Sequence, residues 1–115
     1  PYASMQNKAG KFVKPSLESV TAAADGSLKT IPEDFRVSIT NADGKNSYPI
    51  SGFTYLLVYR QQTDADKGAK LVKFLKWALT DGQKTASTVG YSPLPSSLVK
   101  KVQAKVGTIE VKKLN

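Results

Sequence analysis

The clearest periodicity in the chain spans residues 66–80, where Leu71, Phe74, Leu75, Ala78 and Leu79 recur at i, i+3, i+4, i+7 and i+8. That spacing puts them on one face of an α-helix. Lys70, Lys73 and Lys76 fall on the opposite half, and Asp66 sits near the N-terminus, where the helix dipole favours a carboxylate. Trp77 lies beside the stripe and is expected to pack rather than to act as a ligand platform. Gly82 breaks or bends the pattern, which continues from Gln83 to Thr88 as far as Gly90. Tyr91-Ser92-Pro93-Leu94-Pro95 then reads as a rigid connector, with Pro95 at a first helical position. Leu98, Val99, Val102 and Val106 line one face of a final helix, with Lys100, Lys101 and Lys105 pointing elsewhere. Residues 108–115 alternate weakly through Ile109 and Val111, as a short strand or a loose tail would.

The first half is patterned differently. Residues 2–6 and Phe12-Val13 are short extended segments around Asn7-Lys8-Ala9-Gly10-Lys11, a turn in which Gly10 is free to take a positive φ. Ser16 is placed to cap a short helix with Leu17, Val20 and Ala24 on one face, ended by Asp25-Gly26. Phe35, Val37 and Ile39 alternate with Arg36 and Ser38, the periodicity of a half-buried strand. A polar turn with Asp43-Gly44 at its centre covers residues 41–47. Pro49 precedes the most hydrophobic run, Phe53-Thr54-Tyr55-Leu56-Leu57-Val58-Tyr59. This run does not alternate, which predicts a buried central strand covered on both faces. Residues 61–67 read as a polar loop. The predicted order is hairpin, helix, strand, strand, long helix, helix: an α/β piece with one buried central strand plus hairpin and outer helices.

Composition narrows the chemistry. With 115 residues, 40% hydrophobic and 23% charged, the chain fits a globular protein, and no apolar run approaches the roughly 20 residues of a membrane span. Cysteine and histidine are both absent. Disulfides, thiolate catalysis, a His-dependent base and the usual zinc ligand sets are therefore excluded. The chain opens Pro1-Tyr2-Ala3-Ser4, which reads as an interior start.

Net charge is +8 and lies almost entirely in the second half. Residues 1–59 carry six bases against five acids, and residues 60–115 carry eleven bases against four acids. Such an excess attracts anions, or is a solvated lysine face. Ten of the eleven bases in the second half are lysine, whereas anion clamps and base readers favour arginine.

Three segments in order carry a resemblance: Tyr48-Pro49-Ile50-Ser51-Gly52-Phe53-Thr54-Tyr55-Leu56-Leu57-Val58, then Lys73-Phe74-Leu75-Lys76-Trp77-Ala78-Leu79-Thr80-Asp81-Gly82-Gln83-Lys84, then Gly90-Tyr91-Ser92-Pro93-Leu94-Pro95 followed by Leu98-Val99. Together with the opening Pro1-Tyr2-Ala3 and the Asn7 to Lys11 turn, they resemble the C-terminal region of the periplasmic phosphate-binding proteins, the solute-capture components of phosphate ABC transporters. The resemblance covers nearly the whole chain. It implies two α/β lobes that close on phosphate, with residues 1–47 in lobe two, an interlobe crossover at 48–52, and a return segment of lobe one at 53–115. It further implies a location in the periplasm or at the outer face of the cell membrane, transporter membrane subunits as partners, and no enzymatic activity or cofactor. Members of the family hold phosphate through Ser and Thr hydroxyls, N–H groups at helix N-termini, an Arg and an Asp. Those residues lie upstream of the matched region, so no ligand-binding, catalytic or metal-binding residue is expected in this chain, and phosphate would be held by a missing N-terminal part.

Three local features could be mistaken for an anion site. Ser51, Gly52 and Thr54 precede a strand rather than a helix; Arg36 falls on the outer face of its segment; Arg60 ends the predicted buried strand, where it would snorkel or cap a carbonyl. The alternative function is an autonomous basic nucleic-acid-binding domain built on Lys70, Lys73 and Lys76. A small hydrolase would need carboxylates or a Ser-Lys pair, and the nine acids form no evident pair facing a cleft. A piece of two lobes exposes edges and apolar faces. It is expected to persist bound to the remaining part of the same protein, as a swapped copy, or with its elements repacked.

Overall fold

Ser16 starts the best-specified element of the N-terminal half. Its hydroxyl accepts from the Ser19 backbone N–H at 3.1 Å, and its own N–H donates to the Ser19 hydroxyl at 2.9 Å. This reciprocal capping box opens α1, Leu17–Gly26. Before it, β1 (Met5–Gln6) and β2 (Phe12–Val13) form the predicted hairpin, antiparallel with Met5 opposite Val13. Gly10 takes φ +75° in the turn. These positions come from a computed structural model, which describes residues 1–113; positions 114–115 of the predicted terminal segment lie outside the described residues.

In the second half, β3 (Gln61–Gln62) pairs in parallel with β4 (Glu110–Val111), so part of the predicted polar loop is strand. Between them lie α2 (Ala65–Ala78), α3 (Gln83–Ala86) with a 3₁₀ turn at Ser87–Val89, and α4 (Ser96–Val106). Asp64 caps α2 by accepting from the Lys67 N–H at 3.0 Å, so the helix begins one residue earlier than its periodicity implies. Pro95 is the residue before α4 rather than its first; its carbonyl accepts from Leu98 and Val99.

α4 packs against both α1 and α2, and α2 covers β3 and β4. The core is small: Ala23 and Ala24 of α1, Ile39, Leu75 of α2, and Leu98 and Val106 of α4. The radius of gyration is 16.4 Å, where a compact domain of about this size has about 13 Å, and the molecule measures 58 × 29 × 19 Å. The chain is mixed helix and short strand, but it is elongated and thinly cored.

The largest departure from expectation is at residues 53–59. The predicted buried central strand has no strand partner among the described residues, and Leu56 and Leu57 are 69% and 97% exposed. The cause is register. β3 begins only at Gln61 because β4 begins at Glu110, directly after the turn that follows α4. Among the described residues, the backbone directly preceding Glu110 is turn and irregular, so it does not extend that pair alongside residues 53–59. The alternating segment 35–39 also forms no ladder, although its burial alternates as expected, with Ile39 inside and Arg36 and Ser38 outside.

The α2 stripe is likewise only partly covered. Leu75 is buried, but Phe74 is 53% exposed and its neighbour Trp77 49% exposed, their rings 5.9 Å apart. Trp77 therefore packs on Phe74 at the surface and not into a core, because α4 and the β3–β4 pair cover only the side of α2 that carries Leu75.

Candidate functional site

Two segments that link the hairpin and α1 to the rest of the chain run side by side. The Asn41 N–H donates to the Pro49 carbonyl at 2.8 Å, and the Thr40 hydroxyl reaches the Ser51 carbonyl at 3.5 Å. Farther along, the Tyr55 hydroxyl lies 3.0 Å from the Phe35 carbonyl and 2.9 Å from that of Val37, and it accepts from the Val37 N–H at 3.4 Å. As one segment is followed back from 41 to 35, its partner advances from 49 to 55. The arrangement is an antiparallel twin connection held by one backbone hydrogen bond and by side chains rather than by a ladder. Phe35 sits at φ +61°, a costly conformation for a bulky L-residue, and the Tyr55 hydroxyl bonds to its carbonyl.

The turn that joins the two segments is fixed at its base. Ser47 is fully buried, with its hydroxyl 2.7 Å from the Asp43 carbonyl and 3.2 Å from that of Ala22. The Tyr48 N–H donates to the Ser19 carbonyl at 3.0 Å. Asn7 closes the assembly from the hairpin. Its Nδ2 faces the carbonyls of Gly44, Lys45 and Ser47, and its Oδ1 accepts from the N–H groups of Ala9 and Lys11. Nothing in the sequence flagged Asn7 beyond its place in a turn.

The candidate anion groups do not converge. Ser51 is buried and its hydroxyl donates to the Tyr48 carbonyl at 2.8 Å, while Gly52 and Thr54 are exposed. Arg36 pairs with Asp34 at 2.7 Å. The Arg36 backbone N–H, and then its guanidinium, hold the Asp34 carboxyl below the ordinary range. Among the described residues Arg60 caps no carbonyl, contrary to expectation. It pairs with Glu110 at 2.8 Å across the β3–β4 pair, beside an open depression of about 540 Å³ lined also by Tyr59, Gln61 and Thr63. Each arginine is thus matched by a carboxylate.

The lysines are spread along the surface. Lys67, Lys70 and Lys84 pair with Asp64, Asp66 and Asp81, and among the described residues Lys73 and Lys76 carry no ion pair. The Lys84 ammonium, by hydrogen bond and charge, holds the Asp81 carboxyl low, and Asp81 in turn raises Lys84. Among the described residues there is no cluster of three or more potential metal ligands, and no helix long and apolar enough to cross a membrane.

The arrangement therefore offers a clamped base, a twin connection, and an open apolar run that continues from it through Tyr55, Leu56, Leu57 and Tyr59. No family model matches the chain. The chain is similar to the phosphate-binding protein PstS of Xylella fastidiosa, 40% identical over 103 residues that make up 90% of this chain and 28% of that protein. It is 39% identical over 112 residues to the phosphate-binding protein PstS of Methanocaldococcus jannaschii, covering 87% of this chain and 28% of the relative. A protein of Acanthamoeba polyphaga mimivirus named as a serine/threonine-protein kinase/receptor is 34% identical over 101 residues, which are 6% of its length. The chain spans less than a third of the length of the phosphate-binding relatives just described, so it is the counterpart of one part of them.

Proposed function

From its match to one part of the phosphate-binding proteins, we propose that this chain is the C-terminal scaffold and hinge part of the solute-binding component of a phosphate ABC transporter. The observation that carries this reading is the match along about nine-tenths of the chain to proteins named for phosphate binding. The whole protein captures phosphate at the periplasm or the outer face of the cell membrane and delivers it to the transporter's membrane subunits. It is a binding protein and not an enzyme.

In this reading residues 1–47 contribute to lobe two, residues 48–52 are the return crossover, and residues 53–115 add a strand and outer helices to lobe one. The paired segments at 35–41 and 49–55 suit a hinge, because two side-by-side connections restrict lobe motion to a bend. The clamp around Asn7 and Ser47 gives that bend a rigid base. The phosphate ligands are supplied by the rest of the protein, which agrees with two arginines already matched by carboxylates.

Isothermal calorimetry tests the reading. The isolated 115 residues give no phosphate-binding heat, whereas micromolar or tighter affinity in the isolated chain would overturn the scaffold role.

A further inference from the structure

We propose that Asp43 and Gly44 form a site of spontaneous backbone modification, where the chain cyclises to a succinimide and reopens in part as isoaspartate, with Lys8 as its guard. The proposal does not depend on the functional reading above. The chain has three Asp-Gly pairs, Asp25-Gly26, Asp43-Gly44 and Asp81-Gly82, and the structure separates them. Gly26 closes α1, where its N–H belongs to the helical hydrogen bonding. The Gly82 N–H donates to the Trp77 carbonyl at 2.9 Å. Among the described residues the Gly44 N–H has no acceptor, and both Asp43 and Gly44 are exposed. Gly44 sits at φ +122° and has no side chain to cover its nitrogen.

The Gly44 nitrogen attacks the protonated Asp43 carboxyl at Cγ. The N–Cγ bond forms, the nitrogen gives up its proton, the Cγ–OH bond breaks, and one water leaves. Water then adds back to the ring. Opening at Cγ restores aspartate. Opening at the main-chain carbon gives isoaspartate, with the chain routed through Cγ and the former carbonyl now a carboxylate. An N–H held by an acceptor cannot make this attack until its bond opens, which protects Gly26 and Gly82.

The Lys8 ammonium lies 2.6 Å from the Asp43 carboxylate. By hydrogen bond and then by charge, with a weaker pull from Lys29, it holds that carboxyl below its ordinary value, so the ionised form, a poor electrophile, prevails. Lys84 holds Asp81 in the same way, so the ion pair does not separate the two sites and the glycine N–H does. The location gives the modification a consequence. The Asp43 carbonyl accepts from the Ser47 hydroxyl at 2.7 Å, and its oxygen lies 1.8 Å from where a Cβ on Gly26 would be. The Asn7 Nδ2 donates to the Gly44 carbonyl at 3.2 Å. Isoaspartate lengthens the backbone between these contacts and puts a carboxylate in place of the carbonyl, which loosens the base of the clamp.

The test ages the full chain in buffer and, in parallel, in concentrated urea. Peptide mapping by mass spectrometry reads the loss of one water at each Asp-Gly pair, and labelling by an isoaspartyl methyltransferase reads the product. In buffer, conversion at Asp43 is expected to be at least about tenfold faster than at Asp25 or Asp81, which react only from locally opened states. In urea the three rates are expected to converge. Asp43→Glu keeps the charge but lacks the succinimide geometry, and is expected to remove the signal at that position. Lys8→Ala is expected to quicken conversion about two- to fivefold, the factor an exposed ion pair of ordinary strength represents. The isomerised fraction is expected to melt below the fresh chain. Equal rates at the three pairs in buffer, or a faster rate at Asp25 or Asp81, overturn the proposal. An unchanged rate in Lys8→Ala overturns the guard role of Lys8, and an unchanged melting midpoint after isomerisation overturns the loosening of the clamp.

Discussion

Asn7 and Ser47 meet across 40 residues of sequence, with the Asn7 Nδ2 donating to the Ser47 carbonyl at 3.1 Å in a buried contact. The same side chain satisfies N–H groups of its own turn through Oδ1. Asn7 thus ties the hairpin to the base of the twin connection with both ends of one amide. Asn7→Ala leaves those buried groups unpaired and is expected to cost about 2 kcal/mol, read from the chemical denaturation midpoint. Asn7→Asp is expected to cost at least as much at neutral pH, because a carboxylate oxygen would face three carbonyls. An unchanged midpoint in both variants would show that the clamp carries no stability.

Gly26 ends α1 against the backbone of Asp43. A Cβ there would lie 1.8 Å from the Asp43 carbonyl oxygen. Glycine to alanine in a helix ordinarily helps by about 1 kcal/mol. Gly26→Ala is expected to reverse that sign and lower the melting temperature, while Gly52→Ala, with nothing within 4 Å of its Cβ, leaves it nearly unchanged. Equal effects at the two positions would contradict the close approach of α1 and the turn.

Tyr55 holds the twin connection by its hydroxyl alone. Tyr55→Phe keeps the ring, which stacks edge-on with Phe53 at 6.0 Å, and removes the contacts to Phe35 and Val37. Amide exchange at Val37 is expected to speed up with little change in global stability, since these contacts are exposed. Unaltered exchange there would mean the two segments are held by something else.

The cap of α2 makes a pH prediction. The Lys67 N–H donates to Asp64 and holds its carboxyl below the ordinary value of 3.8. A carboxyl whose folded-state pKa is depressed stabilises fully above its unfolded value and loses that contribution as pH falls through the folded-state value. Helicity measured by circular dichroism is therefore expected to be more heat-labile below about pH 4 than at neutral pH. Asp64→Asn, which caps without titrating, is expected to flatten that dependence. The same steepness in both would assign the acid sensitivity to other carboxylates.

What could be read from the sequence was local. Ser16 announced α1 because a capping box lies within four residues, and Leu71 to Leu79 announced α2 because one face repeats. The apolar pattern of residues 53–59 predicted a buried strand that the structure does not form, because both pairing and burial depend on neighbours that no local pattern reveals. Trp77 packs as expected, on Phe74, but at the surface, because α4 and the β3–β4 pair cover a different side of α2. Asn7 and Gly26 were hidden because their roles come from Ser47 and Asp43, distant in sequence. Arg60 and Glu110 meet only once β3 and β4 are paired.

The central claim, that this chain completes a phosphate-binding protein, is tested most directly by one titration. The 115 residues are joined in place of the matched region of the Xylella fastidiosa relative, and phosphate is titrated into the folded product. The account predicts phosphate affinity within about tenfold of the relative's own, a difference of roughly 1.4 kcal/mol. A folded, joined chain with no phosphate affinity would contradict it.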